Sequence, residues 1–399
     1  MSVLLPESWP FSVDWLPPSA YLVGGAVRDA LLNRQSDYLD LDFIIPTQAI
    51  ALAQKIAKHY HAGFVILDAQ RQIARIVFPH GTVDLAQQEG DSIQADLARR
   101  DFTINAIAYN PFNQSFVDPL GGLVDLAAQQ LKMIAMTNLE EDPLRLLRAY
   151  RQSAQLNFTI EANTQQTLRN LAPLLAQIAP ERVQSELNLL LTNPRGSYWL
   201  AQAYSDQVLT VWLNSITPTK ITQLDQIDSL IPWLCSNWSE IPWETEIKHL
   251  AKLTCLVNDN PQQAHQQLLN LKYPKEVFNG LKSVLQSLAE LSNIQHSLTL
   301  REQYFFFLGI NKYFPILALV ALAKGINPDL INALLNRYNN PLDLAAHPQP
   351  LVTGNDLINY LQIKPSPRIG YLLTEIQIAQ LEGKISTPPE ALIFAKLQL

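Results

Sequence analysis

Cysteine is nearly absent from this chain: two occur in 399 residues, Cys235 and Cys255, both in apolar contexts and neither in a CxxC or Cys/His cluster. That excludes a disulfide framework and a zinc ribbon or finger. Charge is scarce too, at 16% of residues with a net −7. A protein that coats nucleic acid through bulk charge is thereby excluded, because non-specific affinity grows with the number of phosphates neutralised. A local basic surface remains open. No uninterrupted run of about 18 apolar residues is available to cross a bilayer. The amino end, MSVLLPESWPFSVDWLPPSAY, lacks the basic start, long apolar stretch and small-residue cleavage site of a signal peptide. The expectation is a cytoplasmic protein with no membrane partner, without internal repeats or low-complexity tracts.

What is abundant is apolar sequence, 48% of the chain, enough for about two to four domains or sub-domains. Up to about Met136, short β-type runs alternate with helical ones. Tyr21–Val23, Leu39–Ile45, Phe64–Leu67, Ile73–Phe78, Thr82–Leu85 and Lys132–Ala135 read as strands, with helices such as Ala26–Leu32 and Thr47–His59 between them. From Asn138 the pattern changes to aliphatic residues at three- and four-residue spacing, cut into helical lengths by Pro180, Pro194, Pro218, Pro242 and Pro274. An α/β head followed by an all-helical remainder is the simplest organisation. A polar stretch at Asn339–Gln349 marks a break before a final helical segment.

Leu22-Val23-Gly24-Gly25-Ala26-Val27-Arg28-Asp29 reads as a strand, a glycine pair and a helix start. Gly24 and Gly25 let backbone N–H groups approach a phosphate, and Arg28 can donate two parallel bonds to its oxygens. A tight strand-to-helix turn explains the glycines equally well. In Leu39-Asp40-Leu41-Asp42-Phe43, the two aspartates lie two residues apart in an apolar strand, so both carboxylates leave one face while Leu41 and Phe43 leave the other. Neighbouring acids on a half-buried strand repel and resist desolvation, and Mg²⁺ is a natural compensating cation. The competing reading is an edge strand with a solvated polar face. Asp84, on a later strand, is the candidate third acid, against an ordinary strand-end aspartate.

Arg99-Arg100-Asp101 precedes an apolar helix or turn that Asp101 can cap. Arg100 has no such need, and a guanidinium beside carboxylates suits a triphosphate. In Glu141-Asp142-Pro143-Leu144-Arg145-Leu146-Leu147-Arg148-Ala149-Tyr150-Arg151, proline and the preceding acids favour a helix start, and Arg145, Arg148 and Arg151 recur every third residue as a basic stripe. Asp142 and Arg145, one turn apart, offer an acceptor and a planar donor able to read the Watson–Crick edge of a base. An ion pair on a solvated helix is the plainer alternative.

Taken together, GGAVRD, LDLDF, RRDFTINA and EDPLRLLRAYR stand in the order and approximate spacing of the class II tRNA nucleotidyltransferases, which share a fold with bacterial poly(A) polymerases. The chain resembles that family over residues 20–190, including Glu181-Arg182 and Glu186, and again in LVTGNDLINYLQIKPSPRIGYLLTEIQIAQLEGKI near the end. The resemblance implies an α/β nucleotidyltransferase head of the polymerase-β type with a mixed sheet (1–136), then an all-α neck that selects the nucleotide (137–200), body (201–340) and tail (341–399). It implies that Asp40 and Asp42 bind Mg²⁺, with Asp84 as the third catalytic acid. Gly24, Gly25, Arg28, Arg100, Arg148 and Arg151 would hold the triphosphate and sugar of CTP or ATP, Asp142 and Arg145 would choose the base, and body and tail would grip the acceptor stem and elbow of tRNA. One departure matters. Only fifteen residues separate Asp84 from Arg100, where members that add the whole CCA carry a longer flexible loop and CC-adding members a shortened one. The expectation is therefore CC addition, with a separate A-adding enzyme acting afterwards. Full CCA addition, A addition and poly(A) synthesis are the rivals, the acidic balance weighing against the last, and a catalytically silent RNA-binding module is disfavoured by the retained acids and arginines. No His-Asp pair of the phosphohydrolase type stands in the body, and His59 and His61 read as surface residues at a helix end.

Overall fold

The structure is a computed structural model that describes residues 3–34, 38–294 and 298–398. In chain order the first part carries β1 (Tyr21–Val23), α1 (Gly25–Leu31), β2 (Leu39–Ile45), α2 (Ala49–His59), β3 (Gly63–Asp68), β4 (Ile73–Phe78), β5 (Gly81–Gln87), α3 (Ile93–Ala98), β6 (Ala108–Asn110) and β7 (Ser115–Val117). These seven strands form one sheet in the order β3-β4-β5-β2-β1-β6-β7. Neighbours are antiparallel except β2 and β5, which run parallel, so the sheet is mixed as expected. α4 (Gly122–Ala127), β8 (Gln130–Leu131), α5 (Met136–Glu141), α6 (Leu144–Leu156), β9 (Thr159–Ile160), α7 (Ala162–Leu171), α8 (Pro180–Thr192) and α9 (Gly196–Ser205) follow.

Two strand expectations need correction. β6 and β7 lie outside the expected strands: each spans only three residues, and neither is followed directly by a glycine pair such as the one that marks the end of β1. The strand expected at Lys132–Ala135 is instead Gln130–Leu131, which pairs with β9, while Met133 makes one isolated bridge to Phe102.

The rest is helical: α10 (Pro218–Asn237), α11 (Lys248–Leu256), α12 (Pro261–Asn270), α13 (Lys275–Ser292), α14 (Leu300–Ile310), α15 (Phe314–Ala323), α16 (Pro328–Asn339), α17 (Gly354–Leu361), α18 (Pro367–Leu381) and α19 (Pro388–Leu397). Several starts are capped by side chains, with reciprocal capping boxes at Thr299/Glu302, Thr353/Asp356 and Thr387/Glu390. The stretch Leu300–Ala323 is long and apolar enough to span a membrane by composition, although charged and polar residues interrupt it. The chain turns at Asn311 (φ 49°) between α14 and α15, and 61% of the most apolar window is buried. Core packing accounts for its hydropathy.

Two compact units emerge: Met1–Glu186 with Gln202–Val211, and Leu187–Ala201 with Trp212–Leu399. In the first, Tyr150 and Gln165 donate to the buried Asp206, which also pairs with Arg169, fastening α6 and α7 to the end of α9. In the second, Lys252 is wholly buried and reaches Asp228 at 2.9 Å, as does Lys248. Near its end a separate apolar cluster, including Leu357, Leu372, Ile376 and Ala391, gives α17–α19 a core of their own.

Candidate active site

β2 places the carboxylates. Leu41 and Phe43 are buried on one face, where Phe43 meets the rings of Trp9 at 4.9 Å and Phe11 at 5.9 Å. Alternation then puts Asp40 and Asp42 on the other face. The parallel register sets Asp40 beside Thr82 and Asp42 beside Asp84, and the antiparallel register of β4 sets Arg75 beside Asp84. Asp40 and Asp84 each bond a cross-strand neighbour that the register offers. Thr82 Oγ1 donates to Asp40 at 2.6 Å, and Arg75 donates from Nε and Nη2 to the two Asp84 oxygens, both at 2.8 Å. Asp42 receives no hydrogen bond among the described residues. Burial, Asp40 and Asp84 together push its carboxyl up to about 6, against the pull of Arg100 and Arg75. The three acids named from the sequence do come together, although Asp84 is already held by a guanidinium.

Arg100 reaches the same place through packing. Ile93 and Leu97 of α3 join Val23, Ile44, Ala106 and Ala108 in an apolar cluster on the face that bears Asp42, so the chain leaving α3 arrives beside the turn between β1 and α1. Gly24 occupies that turn with φ 74°, and a Cβ there would sit 3.3 Å from Asp42 Oδ2 and 3.4 Å from Arg100 Nη1. The glycine is required both for its backbone angle and for the acid and guanidinium that meet over it. Gly25 is less constrained, its missing Cβ meeting only Arg28 at 3.5 Å. The Arg100 Nε is buried and without a partner among the described residues.

Beyond Arg100 lies a polar network. Asp101 accepts from the Phe102 N–H at 2.8 Å, Asn105 at 2.9 Å and Arg148 at 2.9 Å. Burial alone would raise its carboxyl, but Arg148, Asn105, the Phe102 N–H and Arg145 outweigh it and hold the group down to about 2. Asp101 is thus a buried junction, while the short helical turn after it is N-capped by Phe102. Arg28 pairs with Asp29 and donates to Asn105 at 2.8 Å, and Asn105 donates to Gln152 at 2.9 Å, so α1 and α6 share this junction. Arg151 binds Glu186 and Gln155.

Asp142 and Arg145 do not lie on one helix, and the ion pair between them that was the plainer alternative does not form among the described residues. α5 ends at Glu141 and α6 begins at Leu144; Asp142 lies between them with φ −134°, because the residue before a proline avoids helical backbone. Its carboxylate accepts from Arg182 at 2.9 Å, leaving Oδ1 buried without a donor among the described residues. Arg145 is fixed separately, its Nη1 donating to the carbonyls of Arg99 and Asn138, both at 2.9 Å. Arg145, Arg148 and Arg151 are therefore individually anchored donors instead of a free stripe. Thr82, Arg75, Asn105 and Gln152 were missed. Arg75 alone had a visible signal, an arginine inside the apolar run Ile73-Ala74-Arg75-Ile76-Val77-Phe78.

A polymerase-β-type sheet with clustered acids beside a glycine turn and arginines defines a nucleotidyltransferase head. Residues 20–132 match the poly A polymerase head domain family, 157–219 the probable RNA- and SrmB-binding site of polymerase A, and 241–395 the putative second domain of tRNA nucleotidyltransferases. A CC-adding tRNA nucleotidyltransferase of Synechocystis sp. is 48% identical over 98% of this chain and 96% of its own length. Another from Geobacter sulfurreducens is 31% identical, covering 95% and 92%. The Thermotoga maritima CCA-adding enzyme, solved with tRNA, superposes with a TM-score of 0.72 at 23% identity over 95% of this chain and 91% of that one, a likeness of fold. The chain belongs to the tRNA nucleotidyltransferase/poly(A) polymerase family. Membership implies use of a divalent metal ion, and the donor set fits one: hard carboxylate oxygens, with Asp42 half-buried, repelled by two neighbours and lacking a donor.

Proposed function

We propose that this protein is a cytoplasmic CC-adding tRNA nucleotidyltransferase that takes CMP from CTP, adds it twice to a tRNA 3′ end without a nucleic-acid template and releases pyrophosphate. A separate A-adding enzyme completes the end. The 3′-oxygen attacks the α-phosphorus, forming one P–O bond as the bond to the pyrophosphate breaks. The observation that carries this reading is Asp42, a carboxylate crowded by Asp40 and Asp84 and facing Arg100 across Gly24.

Asp40 and Asp42 are the residues to hold Mg²⁺. Mg²⁺ is commonly bound by one or two carboxylates and completed by substrate phosphates, a role these two acids suit. An ion held by these carboxylates would supply Lewis acidity toward the 3′-hydroxyl and offset charge on the departing pyrophosphate. Arg100 and the backbone at Gly24 and Gly25 receive the triphosphate, and Arg28, Arg148 and Arg151 receive phosphate and sugar. The free Asp142 Oδ1 accepts from the exocyclic amino group of the base, while Arg145, braced by two carbonyls, donates to the adjacent ring position. Residues 1–136 serve as head, 137–200 as the selecting neck, and body (201–340) and tail (341–399) as the tRNA grip. CC addition is supported by the full-length likeness to a CC-adding relative and by the short link from Asp84 to Arg100, which is taken up by the end of β5, a turn and α3.

The test incubates the protein with Mg²⁺, labelled CTP or ATP, and tRNA transcripts ending before the tail, after the first C and after CC. Extension that stops at CC is expected. AMP added to the CC-ending transcript overturns CC-only addition, and a long poly(A) product overturns the tRNA assignment.

A further inference from the structure

Arg75 belongs to none of the motifs that identify the site, yet it makes the strongest contact in the carboxylate row. It sits on β4 and binds both oxygens of Asp84, whose strand neighbour is Asp42. The Asp84 side chain is only 14% exposed, whereas that of Arg75 is 38% exposed. The two guanidinium bonds occupy one lone pair on each Asp84 oxygen and fix the plane of the carboxylate, so a metal would have to compete with Arg75 for it. Three acids in a row across two strands also need a resident positive charge whenever no metal is bound, and Arg75 supplies it from β4 while Arg100 supplies it from the chain that leaves α3.

We infer that Arg75 is a positioning residue that withholds Asp84 from the metal, so that the ion is held by Asp40 and Asp42 and its affinity stays low until nucleotide phosphates arrive. Thr82 plays the complementary part for Asp40, engaging one oxygen with a neutral hydroxyl and leaving the other open. The consequence is an ordering of binding: the site takes its metal with the nucleotide, not before it. The inference rests on the assignment of Asp40 and Asp42 as metal carboxylates, and its test separates the two.

Mn²⁺ binding is measured by electron paramagnetic resonance on the full-length protein, without nucleotide, for wild type and for Asp42→Asn, Arg75→Gln and Arg75→Lys. Removing a positive charge about two strand spacings from a divalent ion, and freeing Asp84 as a ligand, is expected to tighten binding about tenfold in Arg75→Gln. Arg75→Lys keeps the charge and one contact, and stays within about threefold of wild type. A second measurement adds a non-hydrolysable CTP analogue, which should tighten Mn²⁺ binding more in wild type than in Arg75→Gln. Unchanged or weaker Mn²⁺ binding in Arg75→Gln, with Asp42→Asn losing it, overturns the role of Arg75 and leaves the metal assignment intact. Wild-type binding retained in Asp42→Asn overturns the metal assignment and this inference with it.

Discussion

Asp42→Asn tests the electrostatic design of the site without any turnover. In the metal-free protein the Asp42 carboxyl lies near 6 instead of 3.8, pushed up first by burial and then by Asp40 and Asp84. That rise is about 3 kcal/mol at 1.36 kcal/mol per pKa unit. The folded state thus holds this proton more tightly than the unfolded state. Wild-type stability should rise as pH falls through 6 and level off below about 4, where both states are protonated, and the ionised group is a net cost at higher pH. An asparagine carries no such cost. Urea unfolding in EDTA should find the variant more stable by up to about 3 kcal/mol near pH 8, with the gap closing by about pH 4. Adding a divalent cation with CTP should reverse the order, because bound ligand stabilises the folded wild type alone. Parallel pH curves for the two proteins, or a variant less stable than wild type at pH 8 in EDTA, would refute the reasoning.

Three further outcomes follow from the same geometry. Gly24→Ala forces a side chain into a positive-φ backbone and between Asp42 and Arg100; thermal unfolding should register a loss of about 1–3 kcal/mol, and steady-state assays a fall in kcat well beyond it. Asp142→Ala removes the unoccupied acceptor and should let CTP and ATP compete more evenly in a mixed-nucleotide assay; retained selectivity would refute its role in base choice. Asp101, held down to about 2 by Arg148 and its other donors, contributes stability that is full above about pH 4 and lost as pH falls towards 2. Asp101→Asn should therefore cost about 2 kcal/mol at neutral pH and little in strong acid, read by chemical denaturation across that range.

The local grammar of the site was legible from the chain alone. Alternation along Leu39–Ile45 put Asp40 and Asp42 on one face and Leu41 and Phe43 in the core, and the glycine pair marked the turn that Gly24 occupies. Pro180, Pro218 and Pro274 marked the starts of α8, α10 and α13 for the same reason: backbone propensity and side-chain period act over a few residues. Which acids, hydroxyls and guanidiniums meet was decided only by the tertiary structure. Asp84 and Arg75 join Asp42 because β5 runs parallel beside β2 and β4 lies against β5, a pairing that no period in the sequence encodes. Asp142 finds Arg182 forty residues away, and Arg148 is held by Asp101 across the join of sheet and α6. Buried polar groups must be satisfied by whatever the fold brings near, so the motifs could be read from sequence while their partners waited on the packing of the sheet and helices.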